Sequence, residues 1–141
     1  MNFTKQYIEL CKNDKVQELR KEIQADDWIY ADFSKTYHFV YMADIPNSQR
    51  DKVYWLPTGD QLDEEITKIL AEMSKNGEDL SYDIGVSFMD GNISAWQVTV
   101  SNRDYEHTEM EVDLNLAKLK LLVALLENKY QNLYPEREGE K

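Results

Sequence analysis

Only one cysteine, Cys11, occurs in the chain. No disulfide can close within it, which suits a reducing cytosol better than secretion. Histidine is scarce as well. His38 and His107 stand far apart, and neither belongs to an H-x-x-x-H, H-E-x-x-H or C-x-x-C arrangement, so spacing alone points to no zinc site. The five glycines form no G-x-G-x-x-G, P-loop or G-x-S-x-G motif, which leaves phosphate-cradle and nucleophile-elbow chemistry without sequence support. No apolar run approaches the ~20 residues that cross a bilayer. Lys5, Gln6 and Glu9 also interrupt the stretch where a signal peptide would need its apolar core. The expectations are a soluble cytoplasmic protein with no metal, no cofactor, no membrane partner and no enzymatic activity.

The chain does have enough apolar content for a core: 42% of its 141 residues are hydrophobic, a length and composition that fit one globular domain. That domain is expected over 1–134. P-E-R-E-G-E-K, residues 135–141, has no apolar side chain and reads as a disordered tail. Phe3, Tyr7, Leu10 and Cys11 share a helical face, and Asp14 with Gln17 has capping-box spacing for a second helix bearing Val16, Leu19 and Ile23. W-I-Y and K-T-Y-H-F-V-Y-M alternate with a period of two, the pattern of strands. Residues 44–52 read as a polar loop feeding V-Y-W-L, a strand that ends at Pro57. Thr58 and Gln61 then repeat the capping-box spacing, and Asp60, Asp63, Glu64 and Glu65 crowd the first turns, where exposed N–H groups favour carboxylates. Leu62, Ile66, Ile69, Leu70 and Met73 mark the buried face of that helix, with a stop at Gly77. The run 116–127 is apolar nearly all round apart from Lys118 and Lys120, as befits a covered closing helix.

Around D-G-N, residues 90–92, the pattern constrains the register. Ile84, Val86 and Phe88 form one apolar face before the turn, and Trp96, Val98 and Val100 form another after it. Burying both sets on one core requires pairs such as Val86 opposite Trp96, which a plain two-residue Asp90-Gly91 turn does not give. A three-residue loop, 90–92, with a bulge does, and deleting Asn92 from it is expected to shift the register. T-E-M-E-V-D, residues 108–113, alternates too and reads as a further strand before the last helix. The fold class expected is α+β, a mainly antiparallel sheet with helices packed on one or both faces, in the order α-α-β-β-β-α-β-β-β-α.

W-L-P-T-G-D-Q-L, residues 55–62, resembles the W-L-P-R-x-D-Q-L signature of small hypothetical proteins encoded by phages and prophages of Gram-positive bacteria. Y-I-E-L-C at 7–11, K-V-Q-E-L-R at 15–20 and D-D-W-I-Y at 26–30 match the same group, and the resemblance spans most of 5–126. Thr58 stands where the signature has arginine. The resemblance implies a helix–sheet–helix sandwich and a phage setting in a bacterial host's cytosol; it implies no activity and no catalytic residues.

Charge is the most informative pattern. Residues 60–113 hold 14 Asp and Glu against Lys68, Lys75 and Arg103, a balance of −11, which equals the net charge of the whole chain. Such a segment repels nucleic acid and attracts basic surfaces across a Debye length of ~8 Å. Glu109, Glu111 and Asp113 share one strand face, ~6.6 Å between neighbours, comparable with phosphates along a nucleic-acid strand. The alternative is a solvated face that blunts a sheet edge. Asp63, Glu64, Asp104, Glu106, Glu109, Glu111 and Asp113 are thus the candidate partner-binding residues. They suit a phage accessory protein whose acidic face fills the basic groove of a host defence or DNA-processing protein, as anti-CRISPR and anti-restriction inhibitors do. A homo-oligomer is left open. The alternative function is a small-ligand binder or sponge with an aromatic pocket from Trp28, Tyr37, Tyr41, Trp55 and Trp96; a metal-free hydrolase ranks third.

Overall fold

The computed structural model describes residues 3–24, 27–32, 35–39, 53–75, 77, 79–103 and 106–128, with the backbone alone at 36–39. The expected loop 44–52, the tail 135–141 and the stretch 40–42 of the second strand lie outside the described residues. The architecture is α+β, and its elements follow the expected order: α1 (Lys5–Cys11), α2 (Asp14–Glu18), β1 (Trp28–Ala31), β2 (Thr36–Phe39), β3 (Val53–Leu56), α3 (Gly59–Ser74), β4 (Ser81–Met89), β5 (Asn92–Ser101), β6 (Glu106–Glu111) and α4 (Leu114–Leu126). The strands form two antiparallel three-stranded sheets, ordered β2-β1-β3 and β4-β5-β6. The chain divides into two compact units, Met1–Gln61 and Leu62–Lys141. No helix among the described residues is long and apolar enough to cross a membrane.

In the first unit, Thr4 caps α1 by accepting the Tyr7 N–H at 3.2 Å, and the Tyr7 hydroxyl donates to the Pro57 carbonyl at 2.6 Å, which ties α1 to the end of β3. The cap of α2 differs from the expected one. Asn13, not Asp14, accepts the N–H groups of Lys15 and Val16, and the helix stops at Glu18, short of Leu19 and Ile23. Gln17 is the reason it is no capping-box partner: its amide nitrogen donates to the carbonyls of Cys11 and Trp55 at 2.7 and 2.9 Å, and its oxygen accepts the Trp55 N–H at 2.7 Å. One side chain thereby satisfies backbone groups of both α1 and β3 that would otherwise be orphaned. Ile29, Ala31 and Val53 form an apolar cluster with Ile23 against it. Cys11, on the shared face of α1, is a buried thiol, and burial pushes its pKa up.

The Thr58–Gln61 capping box forms as expected, with Gln61 N–H to Thr58 Oγ1 at 3.3 Å and Thr58 N–H to Gln61 Oε1 at 2.9 Å. Leu62, Ile66 and Leu70 of α3 are buried, with Ile69 and Met73 half-buried beside them. Past the helix end, the Gly77 N–H bonds the Ser74 carbonyl; Gly77 has φ +86°, which glycine adopts without a Cβ penalty.

In the second unit, Val86 pairs with Trp96 and Ile84 with Val98, as the hydrophobic pattern required. The loop does not span 90–92. Met89 pairs with Asn92 across a two-residue turn in which Asp90 (φ 52°) and Gly91 (φ 80°) both take positive φ, the type I′ geometry that matches strand twist. The extra residue sits in β5 instead: Phe88 pairs with Ile93 and Ser87 with Ala95, leaving Ser94 as a bulge that restores the parity. Strand β6 covers Glu106–Glu111, two residues earlier than the expected 108–113. Asp113 caps α4, accepting the Asn115 N–H at 3.0 Å.

Candidate functional site

Cross-strand pairs share a face, so the register sorts the second sheet. One face carries Tyr82, Ile84, Val86 and Phe88 of β4, then Ile93, Trp96, Val98 and Val100 of β5, then His107, Glu109 and Glu111 of β6. Lys120 of α4 binds Glu111, so the helix lies on this face, where Val98, Val100 and His107 are buried. The opposite face carries Asp83, Gly85, Met89, Glu106, Thr108 and Met110, all exposed. Thr99 and Thr108 hydrogen-bond across it at 2.9 Å, and Gln97 donates to Ser87 at 3.4 Å.

This sorting changes the reading of the acidic row. Glu109 and Glu111 are not an outward-facing pair: they lie on the helix-covered face, Glu109 against the buried His107 at 2.7 Å and Glu111 on Lys120. Met110 and Val112 are the residues turned to solvent, at 54% and 75% exposure. A carboxylate can occupy the inner face because a cation or imidazole arrives to meet it, whereas an unpaired buried charge would be costly.

Asp63 is likewise committed. Its two oxygens accept from Lys118 Nζ and from the Tyr82 hydroxyl, both at 2.8 Å, so α3, α4 and β4 meet at one carboxylate. Burial, followed by the bond to Asp63, raises the Tyr82 pKa, so the phenol remains a donor at neutral pH. Beside Tyr82 lies a cleft of ≈260 Å³ lined by Thr67, Leu70, Ala71, Ser74, Leu80 and Tyr82, below the ~300–1,000 Å³ of ordinary small-molecule sites.

The remaining candidates scatter. Glu64 is exposed with Lys68 at 3.6 Å; Glu106 is exposed at the start of β6 and Asp113 is exposed at its cap; Asp104 lies outside the described residues. Asp79, Asp83 and Asp90 were not among the expected site residues, yet with Glu106 they are exposed and make no ion pair among the described residues. The period-two pattern held the signal for Asp83, which alternates with Tyr82 and Ile84.

The aromatic candidates are divided between the two units. Trp28 and Trp55 belong to the first unit and Trp96 to the second; Tyr41 and the Tyr37 side chain lie outside the described residues. Trp28 packs edge-on to Phe3 with centroids 5.7 Å apart, and Trp55 is a buried core residue with the Arg20 guanidinium 5.8 Å from its ring centre. Neither Trp28, Trp55 nor Trp96 lines the cleft beside Tyr82.

Also in the first unit, buried Asp27 accepts four hydrogen bonds: Arg20 Nε at 2.8 Å and the Gln24 N–H at 2.8 Å on Oδ2, Arg20 Nη2 at 2.9 Å and Gln61 Nε2 at 3.0 Å on Oδ1. Burial alone would raise its pKa, but these donors outweigh it and hold the carboxyl below its ordinary range. Every acceptor direction is taken, so Asp27 is a structural anion rather than a base. Among the described residues no group of three or more His, Cys, Asp or Glu is placed to hold a metal ion. Comparison with protein-family models, with curated proteins and with solved structures finds no match.

Proposed function

We propose that this chain is a non-enzymatic accessory protein of phage or prophage setting that occupies the basic, nucleic-acid-binding surface of a host defence or DNA-processing protein. One observation carries the reading. Asp83, Asp90 and Glu106 stand exposed on the face of the second sheet opposite α4 and at its tip, and make no ion pair among the described residues. From strand geometry, Asp83 and Glu106 lie ~12 Å apart, and Asp90 is ~23 Å along β4 from Asp83. Each carboxylate adds to a field of one sign across that surface, which favours a basic partner brought within a Debye length, ~8 Å. Asp63, Glu109 and Glu111 are half-buried and each bonded to a side chain of the same unit, and leave the working set.

The test is charge reversal. Immobilised wild type and the triple variant Asp83→Lys, Asp90→Lys, Glu106→Lys are compared for the proteins they retain from a bacterial lysate, beside a control reversed at Asp14, Glu18 and Glu22 in the first unit. The triple variant should lose the nucleic-acid-binding proteins that wild type and control retain, because opposite-charge steering becomes repulsion. Equal retention by all three would remove the acidic face from the function.

A further inference from the structure

We propose that a second copy of this chain covers the exposed half of β4, pairing strand to strand so that two three-stranded sheets join into one of six. Among the described residues strand β4 is an edge of its sheet, and a bare edge presents a row of N–H and C=O groups ready to accept another strand. Natural edges are usually blunted by lysine, proline, a bulge or short length. S-Y-D-I-G-V-S-F-M has nine residues and contains no lysine, arginine or proline, and the sheet's bulge lies in β5. The opposite edge, E-H-T-E-M-E of β6, carries three carboxylates. Assembly through β4 consumes that edge in each copy and leaves the second sheet only its acidic β6 edge, so association through this sheet closes at two, the isologous arrangement of most dimers.

The apolar face says the same. Ile84, Val86 and Phe88 were expected in the core with Val98 and Val100, but they are 44%, 37% and 66% exposed, with Ile93 beside them at 46%. Helix α4 covers the β5 and β6 side of that face and stops short of them. At these exposures the four side chains offer roughly 350 Å² of apolar surface per copy, the size of a functional patch. A standard interface needs ~800 Å² per partner; the backbone of the paired strands and the side chains flanking them supply the remainder, which makes a concentration-dependent dimer rather than an obligate one. Parity narrows the register. Only a two-fold axis centred on a residue, such as Val86, puts Ile84 opposite Phe88 of the second copy and continues the apolar face; an odd offset would set Ile84 against a residue of the other face, such as Ser87, and split it.

Electrostatics supplies a signature. Antiparallel pairing centred on Val86 brings Asp83 close to the second copy's Asp90, so like charges oppose this dimer and salt should tighten it. A basic protein docked on the same strand would be loosened by salt. The proposal does not depend on the acidic face having a partner.

Sedimentation velocity on the full chain, over a range of concentrations at low and high salt, provides the test. The 16.6 kDa mass should rise toward twice that value with concentration, and at lower concentration when salt is high. Val86→Lys should stay monomeric with an unchanged far-ultraviolet circular dichroism spectrum; Val112→Lys, an equal charge change at a residue outside the patch, should dimerise like wild type. Hydrogen exchange of wild type covers the case of a misfolded variant, because amides within 84–89 should slow as concentration rises. A chain monomeric under all conditions, a dimer weakened by salt, a Val86→Lys dimer as strong as wild type, or β4 exchange indifferent to concentration would each overturn the proposal.

Discussion

Replacing Asp27 by asparagine removes a charge and almost no volume, so the cost measures the hydrogen bonds directly. The carboxylate accepts four donors, two on each oxygen, whereas an amide keeps only one accepting oxygen. If the NH₂ stood at Oδ2 it would face the Gln24 backbone N–H, which cannot turn away. It therefore takes the Oδ1 position, against Arg20 Nη2 and Gln61 Nε2. Gln61 cannot turn its amide round without surrendering the oxygen that accepts the Thr58 N–H. The loss is two bonds to an ionised acceptor, from Arg20 Nη2 and from Gln61 Nε2, ~1.5–3 kcal/mol each. Arg20 is about one-third exposed and recovers some hydration, so the expected total falls at the lower end of that sum, ~3–4 kcal/mol. Urea unfolding followed by tryptophan fluorescence reads it, in a Trp96→Phe background that leaves Trp28 and Trp55 of the first unit as reporters. The pH dependence has a fixed sign. A carboxyl whose folded pKa is depressed contributes fully above its unfolded value of ~3.9, and that contribution is lost as pH falls through the lower folded value. Wild type and Asp27→Asn should converge in stability as pH drops below about 4. A loss under about 0.5 kcal/mol at neutral pH, or a gap that persists at low pH, would refute the four-bond reading.

Three further outcomes follow from the second unit and from Cys11. Deleting Ser94 should remove the bulge and keep Val86 opposite Trp96, with little change in melting temperature; even loss of Asn92 can be absorbed by the same bulge. Deleting Ile93 and Ser94 together should turn buried Val98 and Val100 outward, costing ~3–6 kcal/mol in urea unfolding. Asp63→Ala should destabilise more than Lys118→Met, because the first strands a buried ammonium, ~3–5 kcal/mol, while the second leaves a carboxylate that is 36% exposed and still bonded to Tyr82; equal losses would show that burial is not what sets the cost. Native Cys11 should react with a thiol reagent at neutral pH more than about tenfold slower than the urea-unfolded chain, and equal rates would contradict its burial.

The order of elements was legible because each depends on neighbours in sequence: the Thr58–Gln61 box, the alternation of β4 and β5, and the apolar closing helix are local patterns. Register parity was legible too, since matching Val86 to Trp96 is a counting constraint, though counting could not say whether the odd residue sits in the turn or at Ser94. What escaped was the identity of the inward face of β6. Period two separates Glu109 and Glu111 from Met110 and Val112, and apolar content would choose the latter for the interior. The choice went the other way because Lys120, nine residues from Glu111, returns on α4 to neutralise it. Lys118 comes back 55 residues after Asp63, and Gln61 meets Asp27 across 34; no local pattern reports such meetings. The exposed Ile84, Val86 and Phe88 mark another limit. Alternation says that a strand has an apolar face, but not whether the chain's own helices cover it.

Competition with DNA bears most directly on the proposed function. A nucleic-acid-binding protein retained by the immobilised chain is titrated with duplex DNA at several salt concentrations. If the acidic face fills the groove that DNA would fill, DNA should displace the chain in proportion to its own affinity, and rising salt should weaken the complex as counterions replace the carboxylates. A partner that holds the chain and DNA at once, with binding indifferent to salt, would contradict it.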